Sequence, residues 1–166
     1  LMEWFKTKQL TPHYMHIDLS LTTDATGLAM CCMQDGVVYI RYLKRIKARK
    51  GEEIDLSEVR AEVYELKARG FQIQKCTYDQ FQSASSIQEF NRMGINAERL
   101  SVDKDLSCYE TLKEGFYQGK IKMYSDPDLM MELRRLELVK GRKVDHPANG
   151  SKDLADAVAG AVFNCV

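Results

Sequence analysis

No cysteine in this chain stands in a C-x-x-C pair, and the five present (Cys31, Cys32, Cys76, Cys108 and Cys165) are an odd number. That usage argues against a disulfide framework and against a cysteine-built zinc site, and it suits a reducing compartment. Net charge is missing too, because 24 Lys and Arg offset 24 Asp and Glu. No global field therefore draws the chain onto nucleic acid, and any DNA contact must rest on a local patch. No apolar run approaches the roughly 18 residues of a membrane span. The opening LMEWFKTKQL is too charged for the apolar region of a signal peptide. Neither G-x-x-x-x-G-K-[ST] nor G-x-G-x-x-G occurs, which removes phosphate-cradling nucleotide sites of those kinds. Repeats and low-complexity tracts are absent as well. What is present is 166 residues, 45% of them apolar, which suits one soluble domain with a single core.

The organising stretch is HYMHIDLSLTTDATGLAMCCM, His13 to Met33. Alternation predicts a strand ending at Asp18, turn chemistry over Ser20 to Thr26, and a second strand over Leu28 to Met33. Asp35-Gly36 then predicts a hairpin into a third strand, Val37 to Ile46, so the first three strands form an antiparallel meander. Arg41, Lys44, Arg45, Lys47, Arg49 and Lys50 cluster toward its end, which reads as a charge-protected edge strand or as a phosphate-tracking patch. Asp55 and Glu58 open a helix that stops at Arg69-Gly70. Phe71 to Tyr78 is a strand delivering Asp79, Ala84 to Met93 a helix, Ile95 to Val102 a strand, and Ser107 to Tyr117 a helix with Ser107 and Glu110 as its capping box. After an extended Lys120 to Tyr124, Asp126-Pro127 begins a helix carrying Leu129, Leu133 and Leu136 along one side. A hairpin turns at Gly141, and a last helix starts near Ser151. Strand and helix alternating after a meander predict a mixed α/β sheet with parallel strands and helices on its faces.

Singly, a strand-end aspartate such as Asp18 most often forms a turn, and one such as Asp79 most often caps a helix. Together they point to chemistry, since the ends of neighbouring strands form the crevice where open sheets place their sites. That requires the first and fourth strands to be neighbours. Asp153 and Asp156 lie on one side of the last helix, with the small residues Ala157 and Gly160 nearby to allow close approach. Carboxylates gathered this way repel one another, and oxygen-only ligands select hard ions, Mg²⁺ or Mn²⁺. Two such ions about 3.5–4 Å apart support in-line phosphodiester hydrolysis. His13 and His16 read as structural, and His146 as a turn residue. The hairpin cations Lys140, Arg142 and Lys143 are the favoured DNA clamp, with Arg45 and Lys47 of the third strand as the other patch.

The segments HIDLSLTTDATGLAM, CTYDQFQSA, YETLKEGFYQGKIKMYSDPDLMMELRRL and KVDHPANGSKDLADAVAGAV resemble the nuclease domain of the large terminase subunit of tailed bacteriophages. The resemblance runs from about residue 13 to 166, with residues 1–12 as a lead-in or linker. It implies an RNase H-like fold and a metal-dependent endonuclease that cuts concatemeric double-stranded DNA during genome packaging with two Mg²⁺ or Mn²⁺ ions. It further implies that Asp18 bridges the metals while Asp79 and Asp153 each bind one. Asp24 and Asp156 match further acidic positions, and Asp153 is preferred over Asp156 as the helix ligand. The implied partners are the packaging ATPase domain of the same full-length protein, the portal and the small terminase subunit. The implied place of action is the host cytoplasm at the procapsid portal, with no membrane.

Three rivals share parts of this pattern. An actin-like ATPase or sugar kinase has a comparable aspartate and D-x-T (Asp24-Ala25-Thr26) but needs two domains and Gly-rich phosphate turns. A transposase or junction resolvase has the same fold and ions, without these tail segments. A catalytically silent module that only docks DNA or a portal has no reason to keep mutually repelling carboxylates.

Overall fold

Alternation decides the first three strands, and the two faces it creates decide everything packed on them. The computed structural model describes residues 11–20, 25–79 and 83–166. In chain order its elements are β1 (His13–Asp18), β2 (Thr26–Gln34), β3 (Val37–Ile46), α1 (Leu56–Ala68), β4 (Ile73–Tyr78), α2 (Ala84–Arg92), β5 (Ala97–Arg99), α3 (Ser107–Tyr117), β6 (Ile121–Met123), α4 (Pro127–Arg135), β7 (Glu137–Val139), β8 (Lys143–Asp145) and α5 (Asp153–Cys165). The main sheet has six strands in the order β5-β4-β1-β2-β3-β6, and β7-β8 form a separate hairpin. β1, β2 and β3 are the antiparallel meander, whereas β4 joins β1, β5 joins β4 and β6 joins β3 in parallel. The fold is the expected mixed α/β sheet flanked by helices, and β1 and β4 are neighbours.

The turn between β2 and β3 needs positive φ at two successive residues, and Asp35 (52°) and Gly36 (73°) provide it. Helix starts follow local chemistry. Asp55 accepts a hydrogen bond from the Ser57 N–H to open α1, and Asp126 accepts one from the Leu129 N–H ahead of Pro127 in α4. The α3 start differs from expectation. Ser107 is already helical, and Asp105, two residues earlier, accepts from both the N–H and the hydroxyl of Ser107. β5 is also shorter than expected, at three residues. The third strand is not the edge: β6 pairs with Val38–Ile40, so only the basic end of β3 lies beyond a paired neighbour on that side.

Because side chains alternate across a strand, β1 faces two different cores. Met15 and Ile17 pack with Leu28, Met30, Cys76 and Tyr78 under α1 and α2, through Val59, Val63, Leu66 and Phe90. On the opposite face, Ala29, Cys31, Val38 and Ile40 pack under α3 and α5, through Tyr109, Leu112, Leu154, Val158 and Val162. α5 is apolar almost all round and nearly wholly buried, as suits a helix enclosed by its neighbours. It rides directly on β1, since a Cβ at Gly160 would overlap the His16 ring. His16 is fully buried, donates to or accepts from Thr77 Oγ1 at 2.7 Å through Nδ1, and is held neutral by burial, with its pKa lowered to about 3. Among the described residues, no helix is long and apolar enough to cross a membrane.

Candidate catalytic site

The α5 face of the sheet carries a row of residues at one level. Asp18 stands opposite Gly27 on β2, and Gly27 stands opposite Arg45 on β3. On the other side of β1, Ile17 pairs with Tyr78, and the Asp79 N–H reaches the Ile17 carbonyl at 3.4 Å, which brings Asp79 beside Asp18. The row thus reads Asp79, Asp18, Gly27, Arg45 across four adjacent strands. Gly27 has a steric role here. A Cβ at that position would overlap the Asp153 carbonyl, so the missing side chain lets the first turn of α5 settle onto the row between Asp18 and Arg45.

Asp153 and Asp156 enter from that turn, and both are buried. Burial raises the Asp18 carboxyl well above the usual carboxylate range, and the negative charges of Asp156, Asp79 and Asp153, in that order, raise it further. Asp79 is also raised, chiefly by burial, against a hydrogen bond from Ser101 that favours its ionised form. Asp156 is pushed up to about 6 by burial, opposed by Lys152 and by a hydrogen bond from Tyr109. Asp18, Asp79, Asp153 and Asp156 are therefore one electrostatic unit. Asp24 lies outside the described residues.

Cations sit inside this unit. Lys152, the residue before α5, is buried, and its Nζ lies 2.7 Å from Asp103 Oδ1 and 3.1 Å from Asp156 Oδ2, while also donating to the Val144 carbonyl at 3.2 Å. A lysine at a helix N-terminus opposes the helix dipole, so these carboxylates rather than the helix hold it there. The Tyr109 hydroxyl donates to Asp156 Oδ1. Asp153 Oδ2 accepts from the Ser151 hydroxyl at 2.8 Å and lies 3.9 Å from Arg45 Nε. Arg45 is ion-paired with Glu132 and lies 3.7 Å from Asp128. Among the described residues, no three His, Cys, Asp or Glu side chains are arranged to enclose an ion.

Of the hairpin cations, Lys140 and Arg142 are exposed around the Gly141 turn. Lys143 instead pairs with Asp103 at 3.2 Å and with Asp145 at 3.4 Å. In the β3 patch, Lys47 is exposed, Lys44 pairs with Glu62 at 3.2 Å, and Arg41 is buried. His146 closes its own turn, its Nδ1 lying 2.7 Å from the Pro147 carbonyl. A groove of about 520 Å³ beside the site, between α3 and the hairpin, is lined mainly by apolar residues such as Leu112, Phe116 and Leu138 and contains none of the row.

Five participants escaped the sequence reading: Gly27, Tyr109, Lys152, Asp103 and Glu132. A glycine inside a strand is a sign of close backbone approach, but Gly27 falls between the expected turn and the expected second strand and enters β2 only in the structure. Glu132 lies on the apolar stripe of α4, three residues from Leu129 and four from Leu136, where a charge needs a partner. Asp103 carries no local signal.

No protein-family model matches the chain. An uncharacterized protein of Methanocaldococcus jannaschii is 31% identical over 179 residues, an alignment spanning 98% of this chain and 31% of that protein. The chain thus covers about a third of the length of this curated relative. Among solved structures, the large terminase nuclease of thermophilic phage G20c superposes with a TM-score of 0.74 at 17% identity, over 93% of this chain and 82% of that one. The same phage nuclease has also been solved with bound magnesium, a form that matches with a TM-score of 0.69. The HK97 bacteriophage large terminase matches with a TM-score of 0.72 at 17% identity, over 92% of this chain and 39% of that one. The fold is that of the nuclease domain of large terminases, the RNase H-like fold.

Proposed function

We propose that residues 13–166, which carry the terminase-nuclease fold, form a divalent-metal-dependent endonuclease that cuts double-stranded DNA by two-metal phosphodiester hydrolysis. One observation carries this reading: Asp79, Asp153 and Asp156 are brought around the buried Asp18 from a strand end and a helix start, and burial first, then their charges, raise its carboxyl well above the usual range. Carboxylates gathered at such cost are explained by a cation that relieves them. The donor set fits a hard ion, being oxygen throughout, and no cysteine stands among these donors.

Divalent ions in such a site activate a water and stabilise the leaving oxygen of an in-line displacement. Asp18, central in the row, would hold divalent metal together with Asp79 and Asp153. Asp153 is preferred over Asp156 because both Asp156 oxygens are already engaged, by Tyr109 and by Lys152. Lys152 offsets part of the negative charge from inside the cluster. Lys140 and Arg142 on the hairpin, with Lys47 beyond them, are the DNA-contacting cations, whereas Lys143 is held by Asp103 and Asp145. The cutting of packaged concatemers at a portal, beside an ATPase domain of the same protein and a small subunit, is the biological setting this reading extends to. The span of this chain against its longer relatives is consistent with one domain of a larger protein.

Plasmid incubated with the domain and Mn²⁺ or Mg²⁺ is expected to be nicked and linearised, and to stay intact in EDTA. Ca²⁺ should support less cleavage, since its larger, flexible coordination sphere holds the reacting oxygens less well. Asp18→Asn, Asp79→Asn and Asp153→Asn should each abolish cutting in a folded protein. Cleavage in EDTA, or full activity in all three variants, would overturn the two-metal reading. A dead Asp156→Asn beside an active Asp153→Asn would move the helix ligand to Asp156.

A further inference from the structure

We propose that Glu132 is a positioning residue of this site, seating the first turn of α5 and neutralising Arg45 so that Asp153 keeps its charge for a cation. The inference rests on the metal-dependent reading above. Glu132 projects from α4 and is only 2% exposed. Its two oxygens are fully used and by different parts of the site. Oε2 accepts the Ala155 N–H at 2.8 Å, while Oε1 accepts the Ser151 hydroxyl at 3.2 Å and the Arg45 guanidinium.

The first of these interactions replaces a missing cap. The four leading N–H groups of a helix need acceptors from outside it, and the residue at the α5 cap position is Lys152, which has no acceptor and makes no side-chain cap bond. Ser151, the nearby hydroxyl, accepts only a long 3.5 Å bond from the Asp153 N–H while donating to Asp153 Oδ2 and Glu132, and does not reach Ala155. The acceptor for the Ala155 N–H therefore comes from another helix, and the bond that this N–H donates to Glu132 ties α4 to the turn that carries Asp153 and Asp156.

The second interaction decides where a guanidinium spends its charge. Arg45 sits across Gly27 from Asp18, at the end of the row, with its Nε buried and 3.9 Å from Asp153 Oδ2, beyond hydrogen-bond reach. That Nε finds no hydrogen-bond acceptor among the described residues. Glu132 holds the other end of the guanidinium, which gives Arg45 a carboxylate that is not one of the converging four. Without that negative charge, the remaining buried partner for Arg45 is Asp153, and an arginine closed onto Asp153 competes directly with a metal ion.

The two roles are separable by chemistry. Glu132→Gln keeps an amide oxygen for the Ala155 N–H, while it removes the charge and puts an NH2 donor where Oε1 accepted from Arg45 and Ser151. It should fold normally, and in calorimetric titration it should bind Mn²⁺ roughly tenfold more weakly, equivalent to about 1.4 kcal/mol. Cleavage should then need correspondingly more Mn²⁺ for half-maximal rate, with the rate at saturating Mn²⁺ largely retained. Adding Arg45→Gln to Glu132→Gln should restore Mn²⁺ affinity, a rescue that a purely structural role does not give. Unchanged affinity in Glu132→Gln, or failure of the second substitution to restore it, would overturn the proposal while leaving the metal reading intact. A wild-type protein that binds no Mn²⁺ would overturn both.

Discussion

At Asp18, burial and three neighbouring carboxylates all oppose ionisation, with Lys152 the opposing influence. A carboxyl raised in the folded state binds its proton more tightly there than in the unfolded chain, so it lowers stability as pH rises from its unfolded pKa, near 4, through its raised folded value. Asp156, pushed to about 6, acts in the same direction as pH rises from near 4 through about 6. The metal-free protein should therefore gain from Asp18→Asn at pH 7–8, and the gain should shrink as pH falls toward 5 and the wild-type carboxyl protonates. Thermal unfolding of both proteins in EDTA across that range checks this, at roughly 2–4 °C per kcal/mol for a chain of this size. A variant that melts lower than wild type at pH 8 would mean that Asp18 is stabilised by cations of the protein itself. Asp18 and Asp79 are legible in the sequence because a strand that ends on a carboxylate announces where that carboxylate will sit. Lys152, Asp103 and Glu132 are not, because each acquires its role from partners brought in by tertiary packing: Lys152 meets Asp103 from 49 positions away, and Glu132 meets Ala155 from 23.

Among the elements, α5 makes the closest approach to the sheet, and two glycines permit it. Gly160 leaves room for the His16 ring, and Gly27 leaves room for the Asp153 carbonyl. What Gly27 faces is backbone, which cannot swing aside as a side chain can. Gly27→Ala should then force the α5 N-terminus off the row and lower stability by about 1–3 kcal/mol, the range for overpacking a filled interior. Circular dichroism melts measure the loss, and Mn²⁺ titration should show weaker binding because Asp153 moves with the turn. Wild-type melting and affinity would mean that the helix does not rest on Gly27. Most elements are readable from period and punctuation: the meander from alternation and Asp35-Gly36, α1 and α4 from Asp55 and Asp126. The readings that miss share a cause. Ser107 reads as a cap because serine caps helices in general, but Asp105 competes two residues earlier. β3 reads as an edge because its lysines and arginines suit one, but the short β6 joins its other half from far along the chain, and no local pattern encodes that pairing.

For the whole molecule, the balance of 24 cations against 24 anions leaves no general attraction to DNA, so grip depends on which cations stay free to meet phosphate. Many do not. Lys44, Arg45, Arg69, Lys75, Arg92, Lys143 and Lys152 all stand in ion pairs with carboxylates. On the hairpin this separates neighbours by role. Lys140 and Arg142 flank the Gly141 turn in solvent, whereas Lys143 holds Asp103, the same carboxylate that holds Lys152 beside Asp156. Neutralising Lys140 and Arg142 together should weaken duplex binding without disturbing the carboxylates, and should reduce the slope of log affinity against log salt by about 0.9 for each phosphate that the variant no longer neutralises. Lys143→Ala should behave differently, because it releases one pairing of Asp103 and loosens the link between the hairpin and the α5 start. Its cleavage rate at saturating DNA should fall even where its salt slope changes little. Binding isotherms and single-turnover cleavage across a salt series distinguish the two. An unchanged slope in the Lys140 and Arg142 variant would make the hairpin turn a solvated loop and shift the DNA grip to Lys47 and its neighbours at the end of β3.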